Sequence, residues 1–280
     1  MIQIFKQDPE VSRADFLKKS ISAAALASVP FAFYQCVTTA TGQKAMILLP
    51  ESEEIAMGDA AFTEILGQEK MSTRSNWVSM IKRCGNRVSS VSHRPDYQWR
   101  FELINSPTVN AFCVPGGKVA YYEGIMPYCQ DEAGVAIIMG HEVAHATSRH
   151  GAQRISQSMA LELGMGIVGG ALFSDSKHHD TIMAGLGLGA AVGVMLPYSR
   201  EHEYEADALG LEYMARAGYD PEAGIEFWER FSELDKGAGT DFLSTHPLSG
   251  KRVDKMKDAL PTMRKLYNAA PNRYGNGEKI

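Results

Sequence analysis

Two histidines and a glutamate stand close together in the segment GHEVAHATSRHG, residues 140–151. His141 and His145 are four residues apart, so on a helix their side chains lie on the same face. Both imidazoles could then bind one zinc ion, and Glu142 could act as a general base on a water held there. Because this five-residue pattern can also arise by chance, the interpretation requires a third ligand.

His150 is the nearest further histidine, but it misses the register of the long HExxHxxGxxH pattern. That pattern needs a glycine where this chain has Ser148, and its third histidine would fall on Gly151. We therefore interpret His150 as a polar residue at the end of the helix, where a histidine suits the helix dipole.

A second segment, YSREHEYEADALG (198–210), can supply the third ligand. Glu203 and Asp207 are four residues apart, and the small residues Ala206 and Gly210 on the same face would let this helix approach the first one closely. Glu203 could complete a His2Glu site while Asp207 accepts the N–H of a ligating histidine. A solvated acidic face is the alternative. The other polar residues of the segment are expected to lie on the surface or to point away: Glu201, His202 and Glu205.

Hydrophobic periodicity places these segments on helices, with a small amount of strand upstream. Asp131 is the expected N-cap of the first motif's helix and Gly151 its stop signal. Alternation over 97–104 predicts a strand, and the segments flanking Pro115-Gly116-Gly117 predict a hairpin. The predicted helices are 51–68, 74–91, the motif helix through 149, about 200–216, and one opening at Asp220-Pro221.

Two apolar, glycine-rich stretches, 163–173 and 182–197, lie between the two motifs. Both are shorter than the roughly 20 residues that span a bilayer. One interpretation is a close-packed helical hairpin. The other is a mobile flap, or a surface that leans on a membrane, over the active site. The polar tip between them, 178–180, is interpreted as a solvated turn.

The composition narrows the class of protein. With 280 residues, a net charge of -5 and 45% hydrophobic residues, the chain is globular and has no basic surplus for binding nucleic acid. None of its four cysteines has CxxC spacing, which disfavours a cysteine-built zinc site. Residues Cys84, Cys113 and Cys129 could pair only in an oxidising compartment.

Residues 1–40 have the layout of an export signal, with basic residues followed by an uncharged run and then small residues. The segment SRADFLK is similar to the twin-arginine consensus, with Ala14 in place of the second arginine. Cleavage near Thr38-Thr39-Ala40 fits the small-residue rule. This predicts an exported or periplasmic protein in which residues 41–280 form a single domain.

Four motifs in order resemble the zinc metallopeptidase family of HtpX and the CAAX prenyl protease: NAFCVPGGKVAYYEG, HEVAH, SREHEYEAD and STHPLSGKR. The similarity is greatest to the soluble or periplasmic branch of BepA, LoiP and the mitochondrial Oma-type proteases, and it covers about residues 51–265. It implies a gluzincin-like α+β fold, mainly α-helical, with a small β-sheet beside the active-site cleft. It also implies one catalytic zinc per chain.

The family motifs fall on the residues already chosen from their spacing. The resemblance implies that His141, His145 and Glu203 bind the metal, with Glu142 as base and Asp207 as the residue that orients a ligand. A metal-bound water has a pKa of about 7, and Glu142 would pass its proton to the leaving amine.

Two further segments have expected roles near the site. His246 could stabilise the oxyanion or be a fourth ligand in a resting state, and Arg252 could contact substrate or only pack. The hairpin strands could offer an open edge to an extended peptide, with Asn110 and Ala111 near the cleft.

The expected function is hydrolysis of unfolded or misfolded envelope proteins by a zinc endopeptidase. The alternative is a chaperone-like binding module whose zinc site is occluded and non-catalytic. A zinc hydrolase acting on small molecules or cell-wall peptides is disfavoured by the peptide-like strand edge. Extended protein or peptide segments are the expected partners, together with a membrane surface.

Overall fold

The computed structural model describes residues 35–164, 198–234 and 240–280. Its elements, in chain order, are β1 Gln35–Thr38, β2 Lys44–Ile47, α1 Glu51–Gln68, α2 Ser75–Ser90, β3 Arg100–Ile104, β4 Ala111–Val114, β5 Lys118–Tyr122, α3 Met126–Cys129, α4 Glu132–Thr147, α5 His150–Gly164, α6 Arg200–Arg216, α7 Pro221–Leu234, α8 Asp241–Thr245 and α9 Gly250–Ala269. The prediction of a mainly α-helical α+β fold is confirmed.

Helices α4 and α6 form the centre of the fold and approach each other at two glycines. Every residue of α4 is buried. A Cβ atom on Gly140 would lie 2.4 Å from the carbonyl oxygen of Gly210, and one on Gly210 would lie 2.8 Å from the backbone nitrogen of His141. The small residues expected on the acidic helix therefore let the two backbones meet, as the sequence predicts.

A three-stranded sheet packs beside α4 in the order β3-β5-β4. Strand β4 is antiparallel to β5, which confirms the predicted hairpin. Gly116 and Gly117 form its turn with φ of +79° and +87°, a conformation that glycine adopts without strain. Strand β3 is parallel to β5 and starts at Arg100 rather than at 97, because the chain before it turns at Tyr97. Within the described ranges, β4 pairs with β5 alone, so its outer edge has no strand partner.

The motif helix starts as predicted but ends differently. The side chain of Asp131 accepts a hydrogen bond from the backbone of Gly134, which confirms it as the N-cap. The predicted stop at Gly151 is wrong: α4 ends at Thr147, and Gly151 lies inside α5. The break is at Arg149, which has a φ of +56°. Its buried guanidinium donates to Glu54 Oε2 at 2.7 Å, and this ion pair holds a conformation that is uncommon for residues other than glycine.

The C-terminal segment holds the start of α4. The backbone N–H groups of Glu132 and Ala133 donate to the carbonyl oxygens of Glu278 and Asn276. These bonds use donors that have no partner within a helix. The buried Glu132 carboxylate also accepts hydrogen bonds from several side chains: Arg83, Arg87 and Tyr219. Hydrogen bonds to the backbone and to the Glu132 side chain therefore both hold the first turn of the helix that carries the histidine motif.

Other sequence predictions fall partly or wholly outside these ranges. The apolar stretch 182–197 and the tip 178–180 lie outside the described residues, as do most of 163–173 and residues 1–34 of the predicted export signal. The end of that signal is described, and β1 within it pairs with β2. Among the described helices, none combines the length and apolarity that crossing a bilayer requires. Three of the cysteines are buried free thiols: Cys84, Cys113 and Cys129.

Candidate metal centre and active site

The four atoms that could bind a metal converge from three parts of the fold. His141 and His145 lie one turn apart on α4, Glu203 lies in the first turn of α6, and His246 follows the short helix α8. Each offers one atom, and these atoms all lie within 4.8 Å of one another. All four residues are buried.

The separations suit a single zinc ion. With Zn–N and Zn–O bonds of about 2.0–2.1 Å, tetrahedral ligands lie about 3.3 Å apart. His141 Nε2 lies 3.1 Å from His145 Nε2 and 3.2 Å from His246 Nδ1. Glu203 Oε1 lies 3.0 Å from His246 Nδ1 and 3.4 Å from His145 Nε2. The nitrogen and carboxylate donors are those that zinc prefers, so these residues fit the metal that the sequence predicts.

Behind these atoms, Asp207 and Arg252 support His141 and Glu203. Asp207 Oδ1 lies 3.1 Å from His141 Nδ1, on the opposite side of the ring from the other candidate ligands. The guanidinium of Arg252 donates to both oxygens of Asp207 at 2.6 and 2.7 Å, and its Nη1 lies 2.6 Å from Glu203 Oε2. Arg252 is only 2% exposed. It therefore packs behind the cluster, and of the two roles left open for it the geometry favours packing over contact with substrate.

Arg252 also connects the cluster to the segment that carries His246. Its Nη1 donates to the carbonyl oxygens of His246 and Pro247, at 3.4 and 3.0 Å. One buried cation thus holds two acidic side chains of α6 and the loop after α8. The acidic side chains and the histidine loop are placed together by a residue that does not itself belong to the cluster.

The charges within the cluster shift one another. Burial disfavours the charged form of His141, but Glu203 and Asp207 outweigh this and raise its pKa to about 9. Burial alone would raise the pKa of Glu203, yet His246 and Arg252 hold it well below its ordinary value. The carboxylate of Glu203 is therefore ionised, which is the form that a metal ligand requires.

Glu142 lies next to the cluster without belonging to it. Its Oε1 is 3.5 Å from His246 Nε2 and has no hydrogen-bond partner in the described part of the chain. Burial raises the pKa of Glu142, while His246 and the backbone N–H of Cys113 on β4 partly oppose the rise. Glu142 therefore places a buried carboxylate beside the four candidate ligands.

Aromatic rings cover the cluster. Tyr198 packs on the ring of His145 with centroids 4.0 Å apart, and it stacks on His246 at 5.2 Å. Phe242 stacks on the ring of His246 at 4.7 Å. A small pocket beside this cover is lined in part by Cys113, His145 and Tyr198. His246 is therefore held between two aromatic rings, those of Tyr198 and Phe242.

Three polar residues that the sequence analysis set aside are also part of this region. His150 is fully buried, His202 is 7% exposed and Glu205 is 3% exposed. The prediction that His150 is a polar residue at the end of the motif helix is wrong, because His150 is the first residue of α5 and is buried. The prediction that His202 lies on the surface is also wrong, and Glu205 points toward His150 rather than away. The cause is the break at Arg149, which turns the chain so that α5 packs beside α6. No local pattern of residues signals that break.

The residues predicted to meet substrate lie at the start of the edge strand. Ala111 is the first residue of β4 and is buried. The Asn110 side chain accepts a hydrogen bond from the backbone N–H of Ala111, at 2.9 Å. The carbonyl oxygen of Val109 accepts a bond from the backbone N–H of Phe242, so this end of the strand adjoins the helix before His246.

The fold and the cluster together define the class. A mainly helical protein in which one helix contributes two histidines and a glutamate, and a second contributes a further glutamate, has the form of a metal-dependent peptidase. Comparison with protein-family models matches residues 76–260, more than half of the chain, to peptidase family M48. The chain belongs to peptidase family M48, and the resemblance seen in its motifs is confirmed.

Individual relatives agree with this assignment. The chain is 35% identical to the mitochondrial metalloendopeptidase OMA1 of Schizosaccharomyces pombe over 74% of its length and 61% of that protein's. It is 33% identical to the OMA1 of Saccharomyces cerevisiae, covering 61% and 49% of the two chains. It is 27% identical to the beta-barrel assembly-enhancing protease of Escherichia coli K12, covering 89% and 54%. The chain thus spans roughly half to three fifths of the length of these relatives.

Proposed function

We propose that this protein is a zinc-dependent endopeptidase. The observation that supports this most is the set of four buried donor atoms at separations close to the edges of a zinc tetrahedron, with Glu142 beside it. His141, His145 and Glu203 would hold the metal. Zinc bound there would act as a Lewis acid and lower the pKa of a water molecule.

The residues of the chain supply the proton transfers. Glu142 accepts a proton from the attacking water and returns it to the leaving amine of the cleaved peptide bond. Its raised pKa suits this role, because a base with a pKa nearer to neutral both takes up and releases a proton readily. Asp207 fixes the ring of His141, and Arg252 fixes Asp207 and Glu203 in turn.

In a resting state His246 would be a fourth ligand of the metal. Its Nδ1 lies within 3.2 Å of candidate ligand atoms from both motif helices. For a peptide to be cleaved, His246 would have to release the metal, and in its second role it would stabilise the oxyanion. We expect His246→Ala to retain zinc. Its peptidase rate relative to the wild type then distinguishes a ligand that blocks the metal from a donor that stabilises the oxyanion. A faster variant indicates a blocking ligand, and a much slower one indicates a stabilising donor.

Substrates would be extended segments of unfolded or misfolded proteins. The outer edge of β4 has no strand partner among the described residues, and the backbone N–H of Cys113 on this strand bonds to Glu142. A peptide added to this edge near Asn110 and Ala111 would lie beside the base, held by main-chain hydrogen bonds with little regard to sequence. Envelope proteins are the proposed clients because of the predicted export signal, and association with a membrane surface is part of this proposal.

Metal removal and restoration test the proposal. The purified full-length chain should cleave casein, lose activity when dialysed against a chelator, and regain it with one equivalent of zinc. A folded protein used in place of casein, such as native lysozyme, should resist cleavage because it presents no extended segment. A protein that takes up zinc but never cleaves would instead be the chaperone-like binding module.

A further inference from the structure

Behind His145, on the side away from the other candidate ligands, lies a line of hydrogen-bonded side chains. His145 Nδ1 lies 2.9 Å from His150 Nδ1, and His150 Nε2 lies 3.1 Å from Glu205 Oε2. The other oxygen of Glu205 accepts a hydrogen bond from Thr41 Oγ1 at 2.5 Å. His150 is fully buried, with an exposed fraction of 0%.

The direction of these hydrogen bonds follows from the metal-binding role of His145, so this inference rests on the proposed function. If His145 binds the metal through Nε2, its Nδ1 carries a proton and must donate it. His150 Nδ1 is then the acceptor, so the remaining proton of His150 is on Nε2 and is donated to Glu205. One arrangement of protons thus satisfies every polar atom along the line.

The ring of His150 is also fixed in orientation. It stacks on His202 with ring centroids 4.3 Å apart and planes inclined by 20°. His202 is held in turn, because its Nε2 lies 3.0 Å from Gln153 Oε1. His150 is also shielded from bulk solvent, because it is fully buried. The Nδ1 side of His145 therefore faces a buried ring whose orientation is fixed by its neighbours.

The two histidine ligands consequently have different supports. His141 faces the carboxylate of Asp207 directly, at 3.1 Å. His145 reaches its carboxylate, that of Glu205, only through a second imidazole. Both carboxylates lie on α6, which also carries Glu203. A single helix therefore supplies a ligand and the acidic end of both supporting lines.

We propose that His150 and Glu205 are a positioning pair for the metal ligand His145. His150 fixes the tautomer and the ring plane of His145, and Glu205 acts on the metal site only through His150. Loss of a residue that orients a ligand typically weakens metal binding by about 10- to 100-fold. We expect a loss of that size for His150→Phe, which keeps a flat ring of similar size against His202 but removes the acceptor.

The zinc dissociation constant of the full-length protein, measured by competition with a chromophoric chelator, is the test. His150→Asn places an amide oxygen near the position of Nδ1 and should recover part of the affinity that His150→Phe loses. Glu205→Leu should weaken zinc binding by less than His150→Phe. Glu201→Gln is the matched control, because Glu201 is exposed in the same first turn of α6 and should bind zinc as the wild type does.

The double variant His150→Phe/Glu205→Leu distinguishes positioning from a general loss of structure. If Glu205 acts through His150, the double variant binds zinc no more weakly than His150→Phe alone. The visible absorption of the cobalt-substituted protein should shift in His150→Phe and return toward the wild-type spectrum in His150→Asn. Additive losses, or an unchanged dissociation constant in both His150→Phe and His150→Asn, would overturn the pairing while leaving the zinc site intact. A wild-type protein that binds no zinc would instead refute the proposed function itself.

Discussion

The close approach of α4 and α6 at Gly140 allows a test of whether this helix contact sets the distances between the candidate metal ligands. A Cβ atom at this position would lie 2.4 Å from the carbonyl oxygen of Gly210, whereas ordinary van der Waals contact begins near 3.4 Å. Gly140→Ala must therefore separate the two backbones by about 1 Å. Because the clash is with backbone rather than with a flexible side chain, no rotamer change can relieve it.

The expected cost has two parts. Overpacking of this kind destabilises a protein by about 1–3 kcal/mol. The displacement also separates the histidines of α4 from Glu203 of α6, and a misplacement of about 1 Å can cost roughly 100-fold in activity. We therefore expect Gly140→Ala to lower the free energy of unfolding, to weaken zinc binding and to reduce casein cleavage together.

Gly67→Ala is the matched control for this variant. Gly67 is a helical glycine of α1, and a Cβ atom there would have nothing within 4 Å. Both variants replace a helical glycine, for which helix propensity favours alanine by up to about 1 kcal/mol. A larger loss of stability in Gly140→Ala than in Gly67→Ala during urea denaturation therefore reports the steric clash. If Gly140→Ala were as stable as Gly67→Ala and bound zinc as tightly as the wild type, the argument that this helix contact sets the ligand distances would be refuted.

Two further predictions concern buried charges. Burial raises the pKa of Glu132, but hydrogen bonds from Arg83 and Tyr219 outweigh it and hold the net pKa below its ordinary value of 4.5. Such a carboxylate stabilises the fold above that pH and loses its contribution as the pH falls. Glu132→Gln should thus cost about 1–3 kcal/mol at pH 7 in urea denaturation, and the deficit should shrink below pH 4.5. Arg252→Met should destabilise the metal-free protein by about 3–5 kcal/mol, because it leaves buried carboxylates without their cation. The exposed Arg264→Met should change stability by less than about 1 kcal/mol, and equal effects of the two arginine variants would contradict this reasoning.

Local sequence signals predicted most of the elements that carry the site. The helices expected over 51–68 and about 200–216 are observed as Glu51–Gln68 and Arg200–Arg216. Their ends are marked by residues with local effects, such as the side chain of Ser199, which caps the start of α6. Hairpin and N-cap predictions succeeded for the same reason, since each depends on neighbours in the chain.

Features that depend on distant residues were not predictable in this way. The end of α4 is set at Arg149 by a carboxylate that lies 95 positions away, Glu54. The strand β3 pairs with β5 in parallel, across an intervening strand in the sequence. His150 and Glu205 are 55 positions apart, and their contact requires both the break at Arg149 and the packing of α5 on α6. Spacing within one helix gives no information about such pairs.

The motifs gave the central residues of the site but not their supports. His141, His145, Glu203 and His246 lie together, as their motifs suggested. The sequence left the role of Arg252 open, and only its burial against Asp207 and Glu203 shows where it acts. Tyr198, which covers the cluster, carries no signal in the sequence beyond its position before the acidic helix.

The most direct test of the central claim compares casein cleavage and zinc content in the wild type and in Glu142→Gln. Glutamine keeps the shape of the side chain but cannot act as a base. Position 142 does not belong to the group of four candidate metal ligands, so the substitution should leave zinc binding unchanged. The proposed mechanism predicts one zinc per chain in both proteins and cleavage by the wild type alone. Equal cleavage by both proteins, or wild-type protein that holds no zinc, would contradict it.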